Sequence, residues 1–92
     1  MVIDLHLPSR IIDSTEFEPR YALQIQLDMF ETELDIALVN GETELVVIHG
    51  IGSGVLKKEV HKLAKKHPHV DTCINEYNPL YGFGSTKITF KK

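Results

Sequence analysis

The 92-residue sequence carries a single cysteine, Cys73. No internal disulfide can form and no cysteine-based zinc site can be built, so a reducing, cytoplasmic compartment is the expectation. Long apolar runs are also missing. None approaches the ~20 residues needed to cross a bilayer, and no membrane partner is expected. The opening Met1-Val2-Ile3-Asp4-Leu5-His6 has no basic stretch and places Asp4 inside its only apolar segment, which argues against a secretory leader. No internal repeat, low-complexity tract or interdomain linker interrupts the chain, and residues 1–92 are expected to form one domain. With 42% hydrophobic and 25% charged residues, the composition is that of an ordinary globular protein.

Basic residues are scarce in the first half. Residues 1–44 hold ten acids against Arg10 and Arg20 alone, a net of −8, whereas residues 45–92 hold three acids against eight lysines, a net of +5. The total of −3 is no nucleic-acid signature by itself. The asymmetry implies that a polyanion would meet the second half and a basic protein partner the first. Solvated helix faces would give the same distribution.

Val2 to His6 reads as a first strand, followed by a mixed connection over 7–18 that is long for so small a domain. From Pro19, the apolar residues Leu23, Leu27, Phe30, Leu34 and Ala37 recur at helical spacing, with Asn40-Gly41 as the stop. Leu45-Val46-Val47-Ile48 is a continuous apolar strand of the kind covered on both faces. A second helix runs from Val55 to about Lys66, with Leu56, Val60, Leu63 and Ala64 inward and Lys58, Lys62 and Lys65 on another face. Pro68 ends it. Val70 to Tyr77 is a weaker third strand, and Ser85 to Phe90 a half-exposed last one, with Thr86, Ile88 and Phe90 on one face. The expected fold is therefore α/β, a two-layer β-α-β-α-β-β domain with a mixed four-stranded sheet. The first three strands would pair in parallel and the last return antiparallel.

Ligands of open α/β sheets gather at the carboxyl ends of parallel strands, where His6 and His49 fall. Asp4, two residues before His6, would share its face and could orient the imidazole; a hydrogen-bonded pair closing a strand end would look the same. The stronger feature is the loop His49-Gly50-Ile51-Gly52-Ser53-Gly54. Gly50, Gly52 and Gly54 let successive backbone N–H groups converge on an anion, and the helix that follows adds its own free donors. Lys57 and Lys58 oppose the helix dipole in its first turn, a cost of a few tenths of a kcal/mol that a bound anion would offset. The Gly-Lys-Ser/Thr of a nucleotide-binding P-loop is absent, and the spacing is wrong for a dinucleotide fold. His61, His67 and His69 read as surface residues, and no zinc site is indicated. Tyr81 and Phe83 could stack on bases or pack beneath their loop.

Three segments together, Ile3-Asp4-Leu5-His6, Ile48-His49-Gly50-Ile51-Gly52-Ser53-Gly54-Val55-Leu56-Lys57 and Tyr81-Gly82-Phe83-Gly84-Ser85-Thr86, resemble the Smr (small MutS-related) domain family, found at the end of MutS2-type proteins. The resemblance covers nearly the whole chain. It implies a fold like the C-terminal domain of bacterial translation initiation factor 3, together with nucleic-acid binding and, in several members, nicking or endonuclease activity on DNA or RNA. It places Asp4, His6 and His49 at the catalytic end, and Gly50, Gly52, Ser53, Gly54, Lys57 and Lys58 against the phosphate. Leu7 departs from the glycine that usually follows the first motif, and residues 8–18 form an enlarged connection; the departure bears on strand-one geometry and so on cleavage. No cofactor is required by the residues, with Mg²⁺ or Mn²⁺ the candidate cations. The alternatives are a non-catalytic nucleic-acid-binding module and a protein-interaction module at the end of a larger protein.

Overall fold

The computed structural model describes residues 1–5, 19–50, 54–75, 77–80 and 82–92. Its elements in chain order are β1 (Val2–Asp4), α1 (Pro19–Val39), β2 (Glu44–Ile48), α2 (Val55–Lys66), β3 (Val70–Ile74) and β4 (Ser85–Phe90). Both expected helices form over the expected residues. At the end of α1, Gly41 N–H donates to the Leu38 carbonyl and Glu42 N–H to that of Ala37, the bond pair that closes a helix on a left-handed residue.

The four strands form one sheet in the order β1-β2-β4-β3. β1 pairs in parallel with β2, as expected, and Leu5 N–H extends that ladder to the Ile48 carbonyl. β3 does not pair with β2. β4 lies between them, antiparallel to both, with Val47 opposite Thr86 and Cys73 opposite Ile88. The expected parallel pairing of three strands is thereby corrected: β3 runs in the direction of β1 and β2 but is separated from β2 by the returning strand. The reading of β4 as half-exposed is corrected with it. As a central strand it buries Ser85, Thr86, Ile88 and Phe90 and leaves only Lys87 and Thr89 partly open.

Alternation assigns the faces. Ile3, Leu5, Leu45, Val47, Val70, Ile88 and Phe90 turn to one side and pack with Phe30, Leu34 and Ala37 of α1 and Val60 and Ala64 of α2. Both helices therefore cover the same face, giving two layers. Phe30 is wholly buried, and truncation to alanine at such a position costs about 3–5 kcal/mol. Cys73 packs at the edge of this core, where burial raises its thiol pKa against the opposing pull of Lys65. The other face carries Val2, Asp4, Glu44, Lys87 and Thr89, with a Lys87–Glu44 ion pair of 3.2 Å.

Candidate functional site

β2 delivers His49 to the helix-covered side. Leu45 and Val47 point inward, and the same period carries the imidazole over the carboxyl end of the strand. Its position is fixed by backbone: the N–H groups of His49 and Gly50 both donate to the Gly84 carbonyl, at 2.9 Å each. Gly50 then turns the chain at φ 80°, and Gly54 admits it to α2 at φ 83°. Both values lie in the left-handed region that a side chain disfavours, although a Cβ at either position would meet nothing within 4 Å. Gly54 offers no side-chain cap to the helix that it opens, and no acidic residue occupies the first turn of that helix. The donors of that turn are left to backbone, solvent or an anion.

One hydroxyl organises the site. Thr86 Oγ1 lies 2.8 Å from His49 Nε2 and 2.8 Å from Nε2 of His61, which reaches down from α2. Thr86 is fully buried. Its hydroxyl has one proton to give and lone pairs to receive. His49 Nδ1 is 3.0 Å from the Gly50 carbonyl, which can only accept, so that nitrogen carries a proton. In neutral His49 the Nε2 lone pair is then bare and takes the Thr86 proton. Thr86 in turn accepts from the Nε2–H of His61, which leaves His61 Nδ1 as the open base. Every hydrogen in this chain has one consistent direction.

The electrostatics favour that neutral state. The pKa of His49 is lowered by burial, opposed by its bond to the Gly50 carbonyl and reinforced by the charge of Lys57. That of His61 is lowered by burial and then by the charges of His49, Lys65 and Lys57. Both shifts favour the neutral imidazole, with a single N–H, at neutral pH.

Lys57, one turn before His61, extends its ammonium to Asn75 Oδ1 at 3.2 Å. The Asn75 amide nitrogen donates to the carbonyls of Phe83, at 2.8 Å, and Ser85, at 2.6 Å, which fixes the amide so that its oxygen faces the lysine. Lys58 stands exposed in the same first turn, and Lys62, Lys65 and Lys66 continue the basic helix. The opposite end of the sheet contrasts with this. A concavity of about 750 Å³ there gathers Glu42, Glu44 and Asp71 with Lys91 and Lys92, and no imidazole.

Of the sequence-predicted residues, His49, Gly50, Gly54, Lys57 and Lys58 come together at this sheet edge. Asp4 ends the neighbouring strand opposite Ile48 but projects from the sheet face away from the helices, the reverse side from His49. His6, Gly52 and Ser53 lie outside the described residues, as does Leu7. His61, read as a surface residue, is half-buried against Thr86. Among the described residues, no group of three His, Cys, Asp or Glu side chains converges. Two imidazoles and a hydroxyl do not make the carboxylate and water cage that Mg²⁺ requires, and Mn²⁺ too favours carboxylate and water oxygens. The described donors therefore do not fit the candidate cations.

Thr86 was the available clue to what sequence reasoning missed. It shares the face of Ile88 and Phe90, and a hydroxyl on a buried face needs a polar partner. The helix opposite it offers His61.

The family model of the Smr domain matches residues 22–91. Endonuclease MutS2 of Solidesulfovibrio magneticus is 41% identical over 71 residues, covering 73% of this chain and 9% of that protein. Endonuclease MutS2 of Clostridium perfringens is 44% identical over 57 residues, covering 61% of this chain and 7% of that protein. The chain thus spans less than a tenth of the length of these relatives. In three dimensions, the Smr domain of Thermus thermophilus MutS2 superposes with a TM-score of 0.74 at 19% identity, covering 99% of this chain and 98% of that one; at that identity the likeness is one of fold. No described helix is long and apolar enough to cross a membrane. On the family match, this chain belongs to the Smr domain family.

Proposed function

We propose that this domain binds nucleic acid and cleaves a phosphodiester bond at the edge formed by His49, Thr86, His61 and the start of α2. The observation that carries this reading is Thr86 Oγ1 lying 2.8 Å from Nε2 of both His49 and His61, beside a glycine-flanked helix start with Lys57; the tautomers inferred above make it a directed chain. The relatives named as endonucleases support it.

The phosphate is held by the loop from His49 to Gly54, by the uncapped start of α2 and by Lys57, with Lys58 adding charge. His61 Nδ1 takes the proton of the attacking oxygen. Its Nε2 proton passes to Thr86, and the Thr86 hydroxyl proton passes to His49 Nε2. His61 ends neutral in its other tautomer, Thr86 is unchanged, and the positive charge arrives on His49 at the loop. There it faces the developing charge of the phosphorane; the Nδ1 proton leaves the Gly50 carbonyl for the departing oxygen as the P–O bond breaks, and His49 ends neutral with its remaining proton on Nε2. The route uses no metal ion. Asp4, at the end of β1, is proposed to contact the nucleic-acid strand from the other face of the sheet, and His6 is proposed as a further contact to it.

The test is incubation of the domain with supercoiled plasmid and with structured RNA in the presence of a chelator, alongside His49→Ala and His61→Ala. Cleavage by the wild type and its loss in both variants is the expected result. Salt-dependent binding with no cleavage would reduce the domain to a binding module, and identical cleavage by all three proteins would remove the histidines from the chemistry.

A further inference from the structure

The segment between β3 and β4 holds apolar side chains out of the core. Tyr77, Leu80 and Phe83 are 66%, 82% and 58% exposed. Their presentation is built rather than incidental. Asn78 and Gly82 exchange reciprocal backbone hydrogen bonds of 2.7 Å, and the Asn78 side-chain oxygen accepts the Leu80 N–H at 2.8 Å, so the turn closes on itself. The rings of Tyr77 and Phe83, either side of that closure, meet edge to face with centroids 5.5 Å apart at 66°. In an edge-to-face pair one ring offers only its edge, and flat ring surface stays open to solvent. An exposed apolar cluster of this kind contributes little to folding and marks a contact surface.

Its location identifies the occupant. The Phe83 carbonyl accepts from Asn75, and Asn75 holds Lys57. A single side chain therefore links the aromatic pair to the cation at the start of α2. An ammonium that meets a phosphate, next to a flat apolar surface, is the pairing that holds single-stranded nucleic acid, whose bases are free to leave one another and stack on protein rings. The bases of a continuous duplex are already stacked and cannot reach such a surface.

Building on the nucleic-acid reading above, we propose that Tyr77 and Phe83 form a stacking platform for an unpaired base adjacent to the phosphate held at Lys57. The substrate class is thereby nucleic acid with single-stranded or locally unpaired segments, in preference to continuous duplex.

The experiment measures fluorescence anisotropy of a labelled oligothymidine and a duplex of equal length. The proteins are the wild-type domain, Tyr77→Ala, Phe83→Ala, Phe83→Trp and Lys57→Ala. Both aromatic side chains are mostly exposed, and circular dichroism checks that each variant is folded. The wild type is expected to bind the unpaired strand more tightly. Each aromatic-to-alanine change should weaken that binding by about five- to a hundredfold and leave duplex binding alone. Phe83→Trp should restore it, while Lys57→Ala should weaken both. The chain contains no tryptophan and three tyrosines, Tyr21, Tyr77 and Tyr81, so wild-type tyrosine emission can also be followed with Tyr77→Ala as the reference; the part lost in that variant should be quenched by the unpaired strand and not by the duplex. Folded alanine variants that bind oligothymidine as the wild type does would overturn the platform while leaving the nucleic-acid reading intact. A wild-type domain that binds neither oligonucleotide would instead overturn that reading.

Discussion

Replacing Thr86 by valine keeps the shape of a fully buried side chain and deletes only the hydroxyl between His49 and His61. Two hydrogen bonds of 2.8 Å vanish together. A typical intramolecular hydrogen bond contributes about 0.5–1.5 kcal/mol net, and a buried group left without a partner costs about 1–3 kcal/mol. Both imidazoles are only half-buried, so water can recover part of the loss, and the sum should fall near 1–3 kcal/mol. Urea unfolding at pH 7.5 reads it as a lower midpoint at unchanged slope. Thr86→Ser, which keeps the hydroxyl, should lose less. Long-range ¹H–¹⁵N NMR of the histidine rings at the same pH tests the cause. His49 should appear as the Nδ1–H tautomer, held by the Gly50 carbonyl, and His61 as the Nε2–H tautomer. If the chain is the proton route, Thr86→Val should also slow cleavage by about 10²–10⁴-fold, the range general acid–base catalysis supplies. The reasoning fails if His49 is an Nε2–H tautomer, or if Thr86→Val matches the wild type in stability.

Three further outcomes follow from the same geometry. Because the folded pKa values of His49 and His61 lie below the ordinary 6.5, the unfolded chain takes up protons first as the pH drops. Their contribution to stability is complete above about pH 6.5 and is lost as pH falls through the folded values; a His49→Ala/His61→Ala protein should show a flatter urea midpoint between pH 7.5 and 5, and parallel curves would contradict this. Gly50→Ala and Gly54→Ala should each cost about 1–2 kcal/mol, with asparagine milder, since the penalty is backbone conformation and not a clash; thermal or urea unfolding decides, and a neutral substitution would show that the loop can relax. Lys57→Ala should lower the slope of log affinity against log salt by just under one unit on duplex DNA, and an unchanged slope would remove Lys57 from the phosphate contact.

Much of this arrangement was legible in the sequence. Leu23 to Ala37 and Leu56 to Ala64 recur at helical spacing, and the burial of Phe30, Leu34, Ala37, Val60 and Ala64 follows from it. The run Leu45–Ile48 reads as a strand covered on both faces; it is a strand, but the helices cover only the face of Leu45 and Val47, and Val46 on the other face stays partly open. Strand order was less accessible. A short return after β3 fixes the β3–β4 hairpin, but nothing local says that the far edge of β4 pairs with β2, since that contact joins residues about 40 positions apart. The insertion of β4 follows from the long-range match of Leu45 with Ile88 and Val47 with Thr86.

The candidate site divides in the same way. His49, Gly50, Gly54 and Lys57 are close in sequence, and their convergence follows from one strand-loop-helix turn. His61 was hidden by its i+4 relation to Lys57, which suggested a wholly solvated face. That face borders Val60 and Ala64, and at this border an imidazole can reach a buried hydroxyl. Asp4 shows the converse. Proximity at the ends of adjacent strands does not imply a shared face, because one residue of register carries a side chain to the other side of the sheet.

The central claim is that the two histidines joined by Thr86 act on a phosphodiester held at the start of α2. The most direct measurement is the single-turnover cleavage rate of structured RNA and of nicked-circle formation from plasmid, with a chelator present, for wild type, His49→Ala, His61→Ala and Thr86→Val. The account predicts cleavage by the wild type, falling by two or more orders of magnitude in each variant while salt-dependent binding persists. Wild-type cleavage that all three variants retain, or no cleavage by the wild type on either substrate, would contradict it.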